Sequence, residues 1–87
     1  MTIRELISCM DSGACQKFHI RSDAGWVRLF ADLDNQNDLD LIVLDALADM
    51  HIKSWYVNPD AEIVIYPEEE LTVDQIKLCR YYGFSVV

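Results

Sequence analysis

The chain has 87 residues, of which 52% are hydrophobic, and it carries a formal net charge of −8. A chain of this length forms one core, so we predict a single compact domain over residues 1–87. The hydrophobic content excludes a disordered protein, because disorder requires low hydrophobicity together with high net charge. The longest apolar runs, at residues 41–44 and 63–66, are too short to span a membrane.

The N-terminus shows no cationic segment followed by an apolar stretch, so we expect no secretory signal and a cytoplasmic location. The three cysteines, Cys9, Cys15 and Cys79, are consistent with reduced side chains in that compartment. Cys9, Cys15 and His19 follow a Cys-x5-Cys-x3-His spacing, which is not that of the usual short zinc knuckle. The sequence therefore predicts no metal and no cofactor.

Negative charge is concentrated in the middle of the chain. Residues 29–75 contain twelve carboxylates and a single cation, Lys53, so this segment carries a formal charge of −11. Residues 1–28 carry a net charge of +1. Because direct nucleic-acid binding needs a basic surface, we predict that the chain does not bind nucleic acid itself.

The first third of the chain predicts a helix and a β-hairpin. Thr2 and Glu5 form a capping box that begins the helix, and Gly13 is placed to end it. Residues 17–22 and 26–33 each alternate apolar and polar side chains, which is typical of half-buried strands. The short turn between them predicts that they pair as a hairpin.

A second helix is predicted from an N-cap at Asn37 or Asp38 to about Met50. Its apolar side chains fall on one broad face that would pack on the sheet. Residues 52–57 and 62–66 then predict a second hairpin, which a proline ends.

The third helix repeats the pattern of the first, with Thr72 and Gln75 as the capping box and Gly83 at its end. Residues 84–87 predict a short closing strand. The predicted fold is therefore two-layer α+β, order αββαββαβ, with helices packed on a four- to five-stranded, mainly antiparallel sheet. From residue 26 onward, the order βαββαβ is also that of a ferredoxin-like split βαβ arrangement.

Two carboxylates, Asp32 and Asp34, lie at the end of the second predicted strand. Carboxylates in this position can hold Mg²⁺ beside a phosphate, so a divalent-metal phosphodiesterase is one alternative function. A polyanionic substrate would need cations nearby, and this segment has almost none. We therefore predict a non-enzymatic protein.

The remaining signal is the acidic surface. Around the second predicted helix, Asp38, Asp45 and Asp49 lie within roughly 40° of each other and form an acidic ridge. A second acidic row follows at residues 68–70. Rows of carboxylates can stand in for phosphates, while Trp and Tyr are common interface anchors. The predicted partner-binding residues are Asp34, Asp38, Asp45, Asp49, Glu68, Glu69, Glu70, Trp55 and Tyr56.

In its size, acidity and α+β pattern, the chain resembles the small acidic inhibitors of the anti-CRISPR and anti-restriction kind that phages and mobile elements encode. The resemblance rests on these bulk properties rather than on a motif, so it assigns no individual residue. It implies a nucleic-acid mimic that occludes the nucleic-acid-binding surface of a CRISPR effector or a restriction enzyme, in the cytoplasm of the phage's host.

Two other kinds of protein fit the same sequence. A bacterial immunity protein that neutralises a basic nuclease toxin would carry a similar acidic surface. A small structural or regulatory subunit that pairs through its sheet edge or an aromatic face would bind its partner with little dependence on salt.

Overall fold

The computed structural model describes residues 1–10, 15–23 and 25–86. In chain order the elements are α1 (Ile3–Ser8), β1 (Cys15–Ser22), β2 (Gly25–Asp32), α2 (Leu39–Ala46), β3 (Ile52–Val57), β4 (Ile63–Pro67) and α3 (Val73–Tyr81). The predicted α+β class with a four-stranded sheet is confirmed. None of the helices in the described ranges is both long and apolar enough for a membrane span.

Local capping chemistry places the helices where the sequence predicts them. Thr2 and Thr72 each accept the backbone N–H three residues later, and the side chains of Glu5 and Gln75 complete both capping boxes. α1 ends at Ser8, and the predicted terminator at position 13 lies outside the described residues. α2 ends at Ala46, four residues before the predicted end, and residues 47–50 form turns.

The strands form one mixed sheet in the order β2-β1-β4-β3. β1 pairs antiparallel with β2 and parallel with β4, and β3 pairs antiparallel with β4. A ferredoxin-like arrangement from residue 26 would instead place β2 beside β4 and is not formed. Instead, β1 lies between β2 and β4. Its inward side chains, Phe18 and Ile20, are fully buried.

The outer edge of β2 is covered by carboxylates from the segment that begins α2. Asp40 Oδ2 accepts the Phe30 N–H at 2.6 Å, and Asp38 Oδ2 accepts the Asp32 N–H at 3.1 Å. Asp38 is also the N-cap of α2, since it accepts the Leu41 N–H. These bonds satisfy donors that an edge strand would otherwise expose, and they fix α2 beside β2.

The helices cover one face of the sheet and enclose a single core. Its fully buried members include Phe18 and Ile20 of β1 together with Val43 and Leu44 of α2. α1 is held by backbone bonds to the turns after α2, including one from the Ile3 N–H to the Met50 carbonyl. Residues 84–86 follow α3 outside any helix or strand and pack partly against this core, and position 87 lies outside the described residues.

Candidate partner-binding surfaces

Carboxylates from two distant segments line one cleft between α2 and α3, which we call the acidic cleft. Its lining residues are Ala46, Asp49, Met50, Glu69, Glu70, Thr72 and Gln75. The sequence predicts Asp49 and the row at 68–70 as two separate acidic groups. The structure brings Asp49, Glu69 and Glu70 to the same surface, beside the apolar contact area of Ala46 and Met50.

The carboxylate of Glu69 is held in place by His51. The His51 N–H donates to Glu69 Oε2 at 3.0 Å, and His51 Nδ1 lies 2.9 Å from Glu69 Oε1. The hydrogen bond from the His51 side chain lowers the pKa of Glu69 below its ordinary value. Glu69 is therefore ionised at neutral pH and oriented before any partner binds.

Part of the predicted ridge is already paired within the molecule. Arg4 Nη1 lies 3.0 Å from Asp45 Oδ1, and Arg4 Nε lies 3.2 Å from Asp49 Oδ1. The hydrogen bonds to Asp49 and Asp45 raise the pKa of Arg4. The Asp45 and Asp49 side chains remain 66% and 89% exposed, so one cation offsets two accessible carboxylates without covering them.

Asp38 does not join Asp45 and Asp49 as a free carboxylate. Its Oδ2 accepts two backbone N–H groups, from Asp32 and Leu41, so its side chain supports the fold. Asp34 is exposed, and its N–H donates to Asp32 Oδ1 at 3.1 Å in the turn after β2. Within the described ranges, no group of three His, Cys, Asp or Glu side chains is arranged to hold a metal ion.

The two predicted aromatic anchors lie on opposite faces of the sheet. In β3, Trp55 pairs with Ile65 and Tyr56 pairs with Val64, so their side chains point in opposite directions. Trp55 is 44% exposed and Tyr56 is 46% exposed. They are therefore two separate candidate contacts rather than one aromatic patch.

The sheet face opposite the core carries a cluster that sequence reasoning missed. We call it the open sheet face, and its residues are Lys17, His19, Arg21, Trp26, Arg28, Phe30, Asp32, Tyr56, Glu62, Val64 and Tyr66. It contains three Lys and Arg cations and two carboxylates. The formal net charge of −8 therefore divides into +1 on this face and −9 over the rest of the chain.

The cations of the open sheet face lie on its aromatic rings. The guanidinium carbons of Arg21 and Arg28 are 4.2 Å and 3.9 Å from the centroid of the Trp26 ring. Lys17 Nζ is 5.9 Å from the centroid of Phe30. Strand alternation in the sequence shows which side chains share a face of each hairpin. It does not show that both hairpins contribute to the same face.

Glu62 lies just before β4, at one end of this face. Asn58 Nδ2 donates to Glu62 Oε1 at 2.9 Å, and Lys17 Nζ lies 3.7 Å from Glu62 Oε2. His19 Nε2 is 3.3 Å from Glu62 Oε1, although this contact lies outside hydrogen-bond geometry. The hydrogen bond from Asn58, with a smaller contribution from His19, lowers the pKa of Glu62.

This lowered pKa makes the fold sensitive to acid. A carboxylate whose pKa is lowered on folding adds stability above its unfolded pKa, and that stability is lost as pH falls through the folded value. We expect Glu62→Gln to flatten the decline of stability below the ordinary glutamate range, as measured by urea unfolding across acidic pH. Glu68→Gln is the matched control, and an equal flattening in that variant would contradict the assignment.

Comparison of the chain with protein-family models, curated proteins and solved structures found no match. The function is therefore argued from the geometry of these surfaces.

Proposed function

We propose that the chain is a non-enzymatic binding protein that occludes a positively charged nucleic-acid-binding surface of a partner. The partner class is a CRISPR effector, a restriction enzyme or a nuclease toxin. The observation that supports this proposal is the convergence of Asp49, Glu69 and Glu70 on one cleft. Side chains that are distant in sequence thereby present negative charge at a single surface, as a nucleic-acid backbone does.

The geometry around the cleft suits a cationic partner. Arg4 contacts both Asp45 and Asp49, at 3.0 Å and 3.2 Å, so these two carboxylates lie close enough together to bind one cation. His51 orients Glu69, which reduces the side-chain entropy lost on binding. An incoming arginine or lysine could displace Arg4 from Asp45 and Asp49, because exposed ion pairs contribute little stability.

The distribution of charge favours one docking orientation. The open sheet face carries +1, whereas the rest of the chain carries −9. A basic groove would attract the helix-covered side and repel the open sheet face, which increases the rate of productive encounters. We therefore expect association that is fast at low salt and slows as salt is raised.

The test is a binding panel of CRISPR effectors, restriction enzymes and nuclease toxins, with affinity measured at several salt concentrations. The cleft variant is Asp49→Lys with Glu70→Lys. Its matched control is Asp23→Lys with Asp60→Lys, which changes the net charge equally at exposed positions outside the cleft. We expect the partner's nucleic acid to displace the chain, and the cleft variant to bind roughly tenfold or more weakly than the control.

Asp38 is left unchanged in this experiment because its carboxylate supports the fold. Failure of every panel member to bind, or equal affinity of the two double variants, would contradict the proposal.

A second candidate function is a small subunit that pairs through the edge of β3. β3 is the last strand at one end of the four-stranded sheet. At the start of β3, the Met1 carbonyl accepts the Ile52 N–H. Trp55 and Val57 there are 44% and 56% exposed. Exposed apolar edge strands invite pairing with another chain. A complex that is insensitive to salt and is weakened by Trp55→Ala in the same panel would favour this function.

A further inference from the structure

We propose that the open sheet face is a second binding surface, and that it takes a short segment of single-stranded nucleic acid. In this interaction the rings of Phe30 and Tyr56 stack on bases, while Arg21 and Arg28 contact phosphates. This surface is distinct from the acidic cleft, and Glu69 and Glu70 of the cleft also line the pocket that contains Arg21 and Tyr66. The expectation of no direct nucleic-acid binding rests on the negative charge of the whole chain, whereas the fold gathers three cations on one face of β1 and β2.

Strand register places the cluster in ordered rows across the sheet. Arg28, His19, Val64 and Tyr56 form one row from β2 to β3, and Trp26, Arg21, Tyr66 and Ser54 form the next. Strands are about 4.8 Å apart, so a row spans about 14 Å. That length accommodates a few nucleotides lying across the strands. In the second row a cation, Arg21, lies between the rings of Trp26 and Tyr66.

The two arginines are prepared to bind phosphate. Neither forms an ion pair with a carboxylate within the described ranges, whereas Lys17 is partly offset by Glu62. Both guanidinium groups lie over the Trp26 ring, which holds them in place. A stacked guanidinium keeps in-plane N–H donors whose fork geometry matches two phosphate oxygens. Arg28 is the freer of the two, since Arg21 Nη1 donates to the Tyr66 hydroxyl at 3.5 Å.

Exposed rings stand beside these cations. Phe30 is 53% exposed and Tyr56 is 46% exposed, and Tyr56 stacks against Tyr66 with ring centroids 6.3 Å apart. Aromatic rings on an uncovered sheet are the platform on which single-stranded bases stack without sequence preference. Cations alone would also suit an acidic protein, but the exposed flat rings beside them favour bases.

The face is maintained at a cost to stability. Nδ1 of His19 and Nε1 of Trp26 are shielded from solvent and have no hydrogen-bond partner in the described part of the chain, whereas His19 Nε2 lies 3.3 Å from Glu62 Oε1. Shielded polar groups without partners destabilise a fold, and such departures concentrate at functional sites. Apolar side chains at positions 19 and 26 would pack without this cost.

The surrounding negative charge limits the ligand to a short single strand. Asp32 lies on the face, and Asp40 lines a pocket with Arg28 and Phe30 at its β2 margin. Glu68, Glu69 and Glu70 line the pocket that contains Arg21. A duplex would bring many more phosphates close to these carboxylates. We therefore expect modest affinity that is detectable at low salt.

The experiment measures binding of a fluorescein-labelled oligothymidylate of about ten nucleotides, a length within the usual site sizes. Anisotropy is recorded at low and at physiological salt. The chain has two tryptophans, so a Trp55→Phe background leaves Trp26 as an internal fluorescence reporter of the same face. We expect the oligonucleotide to change Trp26 fluorescence, and salt to weaken binding.

The variants use the two faces of one strand as controls for each other. Tyr56→Ala should weaken binding roughly fivefold or more, whereas Trp55→Ala, with similar exposure on the opposite face, should not. Arg28→Ala should weaken binding, Arg28→Lys should restore only part of it, and Arg80→Ala on α3 should have no effect.

Circular dichroism confirms that each variant is folded. The proposal is overturned if the folded chain does not bind the oligonucleotide at low salt, or if the variants of both faces lose affinity equally. It is also overturned if polyglutamate binds the face as tightly as the oligonucleotide, because the surface would then recognise acidic protein.

Discussion

Replacing Phe18 with alanine should remove about 3–5 kcal/mol from the free energy of unfolding. Phe18 is fully buried at the centre of β1, the strand that pairs with both β2 and β4. The substitution leaves a cavity between the sheet and the helices and removes the transfer free energy of the ring. Small domains have only about 5–15 kcal/mol of stability in total, so the variant should lose a large fraction of its free energy of unfolding.

The measurement is urea unfolding followed by circular dichroism. Phe30→Ala is the matched control, because Phe30 lies on the neighbouring strand but is 53% exposed on the opposite face of the sheet. We expect the control to lose less than about 1 kcal/mol. Comparable losses in the two variants would show that the helices do not cover the face on which Phe18 lies.

Replacing Asp38 with alanine should lower the free energy of unfolding by about 2–3 kcal/mol. The substitution removes the N-cap of α2 and also the acceptor for the Asp32 N–H at the edge of β2. Both lost bonds are charge-assisted, and their loss would release the start of α2 from the sheet. The exposed edge of β2 should also make the variant more prone to aggregation.

Chemical denaturation of Asp38→Ala, Asp38→Asn and Asp49→Ala separates the structural role of Asp38 from a binding role. Asparagine is a good N-cap and should retain most of the stability. Asp49→Ala should change stability by less than about 0.5 kcal/mol, because its contact with Arg4 is exposed. An Asp38→Ala variant with unchanged stability and weakened partner binding would restore Asp38 to the predicted ridge.

The outcome for Asp38 bears on how much of the candidate site could be predicted. Its position as N-cap follows from local sequence, and the structure confirms it. Its place on an acidic ridge was an inference from helical periodicity alone. Periodicity gives the direction of a side chain around its helix. It does not show that a neighbouring strand, β2 here, offers a backbone N–H to the same carboxylate.

The acidic cleft and the open sheet face differ in how much of each could be predicted from the sequence. For the acidic cleft, the sequence identified Asp49, Glu69 and Glu70 as members of acidic rows but not as neighbours. For the open sheet face, alternation showed that Trp26, Arg28 and Phe30 share one side of a strand. The formal charge of the whole chain does not indicate that three cations cluster on this face, because a sum over the sequence does not record where charges lie.

The sequence by itself determined the local elements of this protein: the two capping boxes, the alternation of the strands and the α+β class. These depend on contacts between residues that are close along the chain, so propensity and periodicity are sufficient to predict them. Only the tertiary structure decided that β1 lies beside β4 and that Asp49 meets Glu69. It also decided that the cations of one hairpin share a face with the aromatic rings of the other. Those outcomes depend on long-range packing, in which burial of Phe18 and Ile20 places β1 at the centre of the sheet.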